Sequence, residues 1–274
     1  MAKHVAVNKY YVVLGLVLAP ILPTLGATAD SNGPRITAIV KKATLSVNGA
    51  KPRPASVGDR INQEDEITTG PGSRLELVFD PQDVIRLGAN TALKLKSKNV
   101  LELTRGTLLI DFPGGAKSRV DAGAVSTLVG HATAVLGYHP TVFKFLALEG
   151  TARLYRPGKL GDSVLVHPGE MIFGNTTASL TDPVNFDIGR FVNTCPLIQG
   201  FSPLPSERLI TAASERQEQA KSNRSLIETN LVIFRGSSQV SIVNPTGAAA
   251  TPTAQPTPTN VSSHIPPLPQ EVRP

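Results

Sequence analysis

Over most of the chain between residues 43 and 174, apolar and polar residues come in short runs, and each run stops at a glycine or a proline. In Thr91-Ala92-Leu93-Lys94-Leu95-Lys96-Ser97-Lys98 the apolar side chains occupy every second position and the lysines stand between them. A period of two sends the two sets to opposite faces of an extended strand, one packed and one wet. The same texture predicts strands near 75–79, 84–87, 93–95, 100–103, 107–112, 142–148, 152–155 and 164–166. Glycines 70, 72, 88, 106, 114–115, 150, 158, 161 and 169 fall between or beside them. Strands this short and evenly spaced, with no helical period between them, predict an antiparallel or coiled all-β domain over residues 43–175 in place of βαβ units. Residues 30–42 read as an N-terminal linker.

After residue 175 the pattern changes. Residues 176–205 read as an irregular linker, punctuated by Pro196, Pro203 and Pro205. A helix is expected over 206–224, with Ser206 able to cap it. Leu209, Ile210, Ala213, Arg216 and Gln217 give that helix only a thin apolar stripe, so it should lean on the β domain. Residues 225–243 look hairpin-like, with two apolar runs around Arg235-Gly236-Ser237-Ser238. In the final segment, 244–274, eight of thirty-one residues are proline, mixed with Thr, Ala and Ser. Such a composition cannot bury enough apolar surface to order itself and reads as a disordered, partly polyproline-II tail.

Residues 1–29 have the layout of a signal peptide: Lys3 and Lys9, an apolar run from Tyr10, prolines at 20 and 23, and Ala27-Thr28-Ala29 as a peptidase site. Cleavage leaves Asp30, or Thr28, at the mature N-terminus. The open alternative is a retained membrane helix, because the apolar run extends to Leu25, close to a bilayer's thickness. Membrane contact is expected only in that case. Cleavage removes two lysines and no acids, lowering the formal charge from +6 to +4. This is a mildly basic balance, which favours anionic envelope polymers and falls short of a nucleic-acid-binding stripe. The single cysteine, Cys195, cannot close an internal disulfide and reads as a buried, inert thiol.

The turn elements themselves carry a resemblance. They run Val57-Gly58-Asp59-Arg60-Ile61, then Asp65-Glu66-Ile67-Thr68-Thr69-Gly70-Pro71-Gly72-Ser73-Arg74-Leu75-Glu76-Leu77, and Val84 through Gly88 to Leu93. They continue with Leu103-Thr104-Arg105-Gly106-Thr107-Leu108, Leu148-Glu149-Gly150 and Val164 through Pro168-Gly169-Glu170. In order and spacing this resembles the periplasmic FecR-like domain family, named for the ferric citrate regulator. The resemblance implies a short-strand sandwich or solenoid-like domain in the bacterial periplasm or outside the cell. Gly130-His131-Ala132-Thr133 departs from the family pattern, so the second half of the match is looser. Gly58, Asp59, Gly70, Gly72, Gly88, Gly150 and Gly169 are its fold-defining turns, since Gly accepts positive φ and Asp bonds its own turn backbone. Membrane-bound family members that regulate sigma factors carry a cytoplasmic N-terminal domain, and here about nine residues precede the apolar run. The expectation is therefore a stand-alone exported module without the anti-sigma output.

Candidate chemistry is sparse. His131, His139 and His167 share the second half of the β domain with Asp121, Asp162, Glu149 and Glu170, which would suit a cupin-like metal site. No two histidines have the spacing that puts both on one strand face, and no metal or other cofactor is expected. Glu149 and Glu170 adjoin pattern glycines and read as turn-stabilising. There is no Gly-x-Ser-x-Gly elbow, phosphate loop or Cys-x-x-Cys. Lys94, Lys96 and Lys98 form the one suggestive surface, with ammonium groups roughly 7 Å apart on one face. They would serve either as an anion-binding strip or as protection of an edge strand. The sequence thus points to an exported, non-enzymatic protein that binds, senses or scaffolds in the cell envelope. Its partner would be an envelope polymer or a periplasmic or outer-membrane protein. A membrane-anchored signalling regulator and a metal-dependent cupin-like enzyme are the alternatives.

Overall fold

The computed structural model describes residues 33–80, 82–114 and 117–223, with the backbone of two further strands at 231–232 and 241–242. The expected signal segment 1–29 and tail 244–274 lie outside the described residues. Seven strands come first: β1 (Arg35–Val40), β2 (Ala43–Ser46), β3 (Arg53–Pro54), β4 (Glu66–Thr69), β5 (Arg74–Asp80), β6 (Asp83–Leu87) and β7 (Ala92–Ser97). The long β8 (Val100–Phe112) follows, and then β9 (Ser118–Ala122), β10 (Val125–Val129), β11 (Ala132–His139), β12 (Val142–Gly150), β13 (Ala152–Tyr155), β14 (Ser163–Val166), β15 (Glu170–Asn175) and β16 (Val184–Asn185). Three helices close the described core: α1 (Ile188–Thr194), α2 (Pro196–Gln199) and α3 (Glu207–Ser222). The pair β17 (Leu231–Val232) and β18 (Ser241–Ile242) runs antiparallel within the segment where a hairpin is expected.

The domain is all-β, as the alternation predicts, and β8 is its axis. One end of β8 pairs with β7 and, in parallel, with β9. The other end pairs with β6 and β11. Between them stands Gly106 at φ +102°, where a Cβ would lie 2.3 Å from Thr91 Oγ1, so only glycine lets the strand pass from one half-sheet into the other. One half carries β1, β5, β6, β11, β12, β15 and β16, and the other β2, β3, β4, β7, β9, β10, β13 and β14. Apolar faces of both halves meet in one core. Leu75, Leu77, Ile85, Leu108, Ile110 and Phe145 come from the first, and Leu45, Ile67, Leu93, Leu101, Val120 and Leu154 from the second.

The first half-sheet has a second core on its other face. Leu109, Val135, Leu146, Leu148 and Met171 project there and pack against Phe186, Ile188, Leu197, Leu204, Ile210 and Ala213 of the C-terminal segment. Central strands are therefore buried on both faces, which is why residues 108–110 and 145–148 read as unbroken apolar runs.

Two boundaries read from the sequence change. Residues 30–42 are not merely a linker: β1 pairs with β5 and Ile36 is fully buried. Residues 176–205 are not an irregular linker, because they hold β16, α1 and α2. Asp187 caps α1 by accepting from the Arg190 N–H at 2.7 Å, and the prolines begin and follow helices. The expected terminal helix is Glu207–Ser222, leaning on the sheet through Ile210, Ala213 and Gln217.

Candidate functional site

Polar chemistry in this molecule concentrates in the seam between the outer face of the first half-sheet and the helical segment. Cross-strand register builds it. Val84, Asp111, Thr133 and Glu149 stand in one row across β6, β8, β11 and β12, and Glu76, Arg86, Leu109 and Val135 in the next across β5, β6, β8 and β11. The helical segment lies across both rows.

Arg86, only 1% exposed, spends its whole guanidinium in this seam. Nε donates to Glu76 Oε2 at 2.8 Å, one terminal nitrogen to the Leu197 carbonyl at 2.9 Å and the other to the Ser202 carbonyl at 2.5 Å. The Phe201 ring covers it, 4.8 Å from guanidinium carbon to ring centroid. A planar fork of this kind ties β6 to α2 and to the loop after it, which a lysine's point charge cannot do.

Asp111, Thr133 and Ser206 are fully buried, and Glu149 is 6% exposed. The Thr133 hydroxyl oxygen lies 2.8 Å from Asp111 Oδ1, 3.0 Å from Glu149 Oε1 and 2.6 Å from Ser206 Oγ. The other Asp111 oxygen accepts the Ser206 N–H at 3.2 Å. Ser206 precedes α3 but makes no side-chain cap bond, contrary to the expected role. Its hydroxyl is turned to Thr133 and Asp111, and Asp111 supplies the anion at the helix N-terminus from a neighbouring strand. Burial pushes both the Asp111 and Glu149 carboxyls above their ordinary range, opposed by hydrogen bonds from Ser206 and Thr133. Further along α3, Gln217 accepts from the Ile188 N–H at 2.9 Å and donates to the Phe186 carbonyl at 2.6 Å.

The sequence-predicted residues lie elsewhere. Lys94 and Lys96 are on β7, which is an interior strand paired with β4 and β8, so edge protection is not their role. Register sets Lys94 between Glu66 and Glu102. Glu64 Oε2 lies 2.7 Å from the Lys94 ammonium and 3.7 Å from that of Lys96, which also faces Glu102 at 3.8 Å. Lys98 falls in the turn after β7 and does not continue the strand face. The three do not form one uninterrupted cationic row.

Of the turn glycines, Gly58, Gly72, Gly150 and Gly169 have positive φ, at 97°, 60°, 66° and 81°. Gly70 and Gly88 do not, and a side chain at Gly88 would press on Thr107 Cβ at 3.3 Å. Asp59 bonds its own turn, accepting from the Ser56 N–H at 2.9 Å and from Arg53 at 2.8 Å. Glu170 does the same, accepting from the His167 N–H at 2.8 Å. Glu149 does not: it faces the buried seam. His131 sits in the turn before β11, His139 ends β11 and His167 follows β14. Among the described residues no group of three or more His, Cys, Asp or Glu side chains is placed to hold a metal.

Sequence reasoning missed Arg86, Asp111 and Thr133 and gave Ser206 a different role. The available signal was polar residues placed within apolar strands, Val84-Ile85-Arg86-Leu87 and Leu109-Ile110-Asp111-Phe112, where alternation alone gives no reason for a charge.

Residues 65–153, from β4 into β13, match the family model described as FecR protein. The solved structures that resemble it include two crystal structures of proposed anti-sigma factors from Parabacteroides distasonis. One, at 1.65 Å resolution, has 15% identity and a TM-score of 0.37, covering 49% of this chain and 74% of that one. The other, at 2.50 Å, has 16% identity and a TM-score of 0.38, covering 47% and 64%. No curated protein matches the chain. Among the described residues no helix is long and apolar enough to cross a membrane.

Proposed function

We propose that this chain is an exported FecR-type module of the bacterial cell envelope, acting in signalling or regulation by binding another envelope component and catalysing no reaction. The FecR domain supports the regulatory role, because FecR proteins are regulators and their domains are periplasmic. The single observation that carries the reading is the polar seam. Arg86, Asp111 and Thr133 of the first half-sheet are spent on holding the helical segment, a structural use. An envelope polymer or a periplasmic or outer-membrane protein is the partner proposed.

Mass spectrometry of the protein isolated from fractionated cells tests this. An N-terminus at Asp30 or Thr28 in the soluble periplasmic or secreted fraction is the expected result. An intact Met1 region in membranes would replace the exported form with an anchored signalling regulator, and recovery from the cytoplasm would overturn both.

A further inference from the structure

With both carboxyls ionised, the contacts at Thr133 Oγ1 are one hydrogen short. Three oxygen–oxygen contacts of 2.6, 2.8 and 3.0 Å converge on Thr133 Oγ1. Each needs a hydrogen between its oxygens, because two lone pairs facing each other at that distance repel. Thr133 and Ser206 supply one hydrogen each. The third must come from a carboxyl.

Donor geometry says which one. Asp111 has a donor on each oxygen, the Thr133 hydroxyl on Oδ1 and the Ser206 N–H on Oδ2, and Arg86 on β6 and the N-terminus of α3 add positive potential. These groups favour its charge against the burial that raises its carboxyl. Glu149 is met by Thr133 alone, with the Asp111 charge acting against its ionisation and Arg216 of α3 and His131 of the preceding turn acting for it. A neutral Glu149 donates to Thr133 Oγ1, which also accepts from Ser206 and passes its own hydrogen to Asp111. Each of the three contacts at Thr133 Oγ1 then has its hydrogen.

We propose that Asp111 and Glu149 hold a single proton at neutral pH, carried by Glu149, and that this proton clasps the C-terminal helical cap onto the sheet. Its loss leaves two carboxylates sharing one threonine hydroxyl in a buried seam, and the helix start at Ser206 is the partner free to move away. Opening there bares Leu109, Val135 and Leu146, an apolar face already lying in the FecR domain. The device concerns the cap itself and does not depend on the identity of an envelope partner. Its direction follows from the chemistry: a carboxyl that the fold keeps protonated contributes fully in acid, and the contribution is lost as pH rises through its raised value. Burial, which raises both carboxyls, acts in the same sense.

The test is hydrogen exchange of the full chain, read by mass spectrometry over residues 188–217, for wild type, Glu149→Gln and Asp111→Asn between about pH 5 and about pH 9. Comparing proteins at the same pH cancels the intrinsic chemistry. Glutamine keeps a donor toward Thr133 and cannot lose it. The wild-type to E149Q exchange ratio should be near one at the acid end and grow by about tenfold for each unit by which the fold raises the Glu149 pKa. D111N, with one amide oxygen in place of two acceptors, should exchange fast at every pH. A flat ratio across the range overturns the proposal, as does a tolerated D111N beside a disrupted E149Q, which would move the proton to Asp111. Infrared spectroscopy needs no variant. The wild-type protein at neutral pH should show a protonated-carboxyl band that fades as the cap opens, and its absence would overturn the shared proton even if neither variant folded.

Discussion

At Gly150 the turn between β12 and β13 requires glycine twice over. Its φ is +66°, and a Cβ there would stand 2.1 Å from the His131 carbonyl oxygen. Gly150→Val should cost at least on the order of 1 to 3 kcal/mol in urea unfolding, the scale of one strained backbone position, with the clash adding to it. Arg86 makes a stronger prediction. Arg86→Ala leaves Glu76 Oε2, the buried Leu197 carbonyl and the part-buried Ser202 carbonyl without their donor and should cost about 3 to 5 kcal/mol. Arg86→Lys should recover only part, because an ammonium cannot span three acceptors in one plane. Recovery to wild-type stability by lysine would mean that the fork geometry is unimportant. The turn glycines were legible because a turn's demand on φ is local, and Gly58, Gly72, Gly150 and Gly169 show it. The role of Arg86 was not, since its carbonyl partners lie 111 and 116 residues away and no local pattern encodes them.

Among the elements, β7 follows from alternation, whereas its neighbour β4 was not among the expected strands and the runs at 100–103 and 107–112 join in the single strand β8. What alternation did not disclose is the charge on neighbouring strands. The Lys94 and Lys96 ammonium groups meet Glu64 and Glu102 only because β4, β7 and β8 lie side by side. Changing Lys94, Lys96 and Lys98 together to Ser should leave the melting temperature within the range of ordinary surface changes. Salt-sensitive retention on anionic envelope fractions should weaken if this face still binds through them. Unchanged retention at low ionic strength would remove the lysines from any binding role. The helices were legible only in part. Of the expected stripe Ile210, Ala213 and Gln217 are buried, while Leu209 and Arg216 are exposed, and α1 and α2 sit in a proline-punctuated stretch whose prolines suggested a linker. Unbroken apolar runs in β8 and β12 were the clue that something covers the sheet's second face.

At the scale of the whole molecule, the FecR-type strands and the helices after them form one unit. Each of Phe186, Ile188, Leu197, Leu204 and Ile210 buries about 1.5 to 3 kcal/mol of apolar side chain, an upper estimate whose total rivals the 5 to 15 kcal/mol stability of a typical domain. A chain ended after Asn223 should therefore melt like the full protein, since both described cores are built from residues before it and the composition of 244–274 cannot supply a core of its own. A large fall in melting temperature on that truncation would contradict this. The more direct measurement is the melting and dye binding of a chain ended after Asn185, which keeps every strand of the two half-sheets and lacks the helical cap. If the cap is integral, this chain should bind a hydrophobic dye and lose its cooperative transition, or melt far below the full protein. A cooperative transition at the full protein's temperature, without dye binding, would show that the helices merely lie on a finished domain.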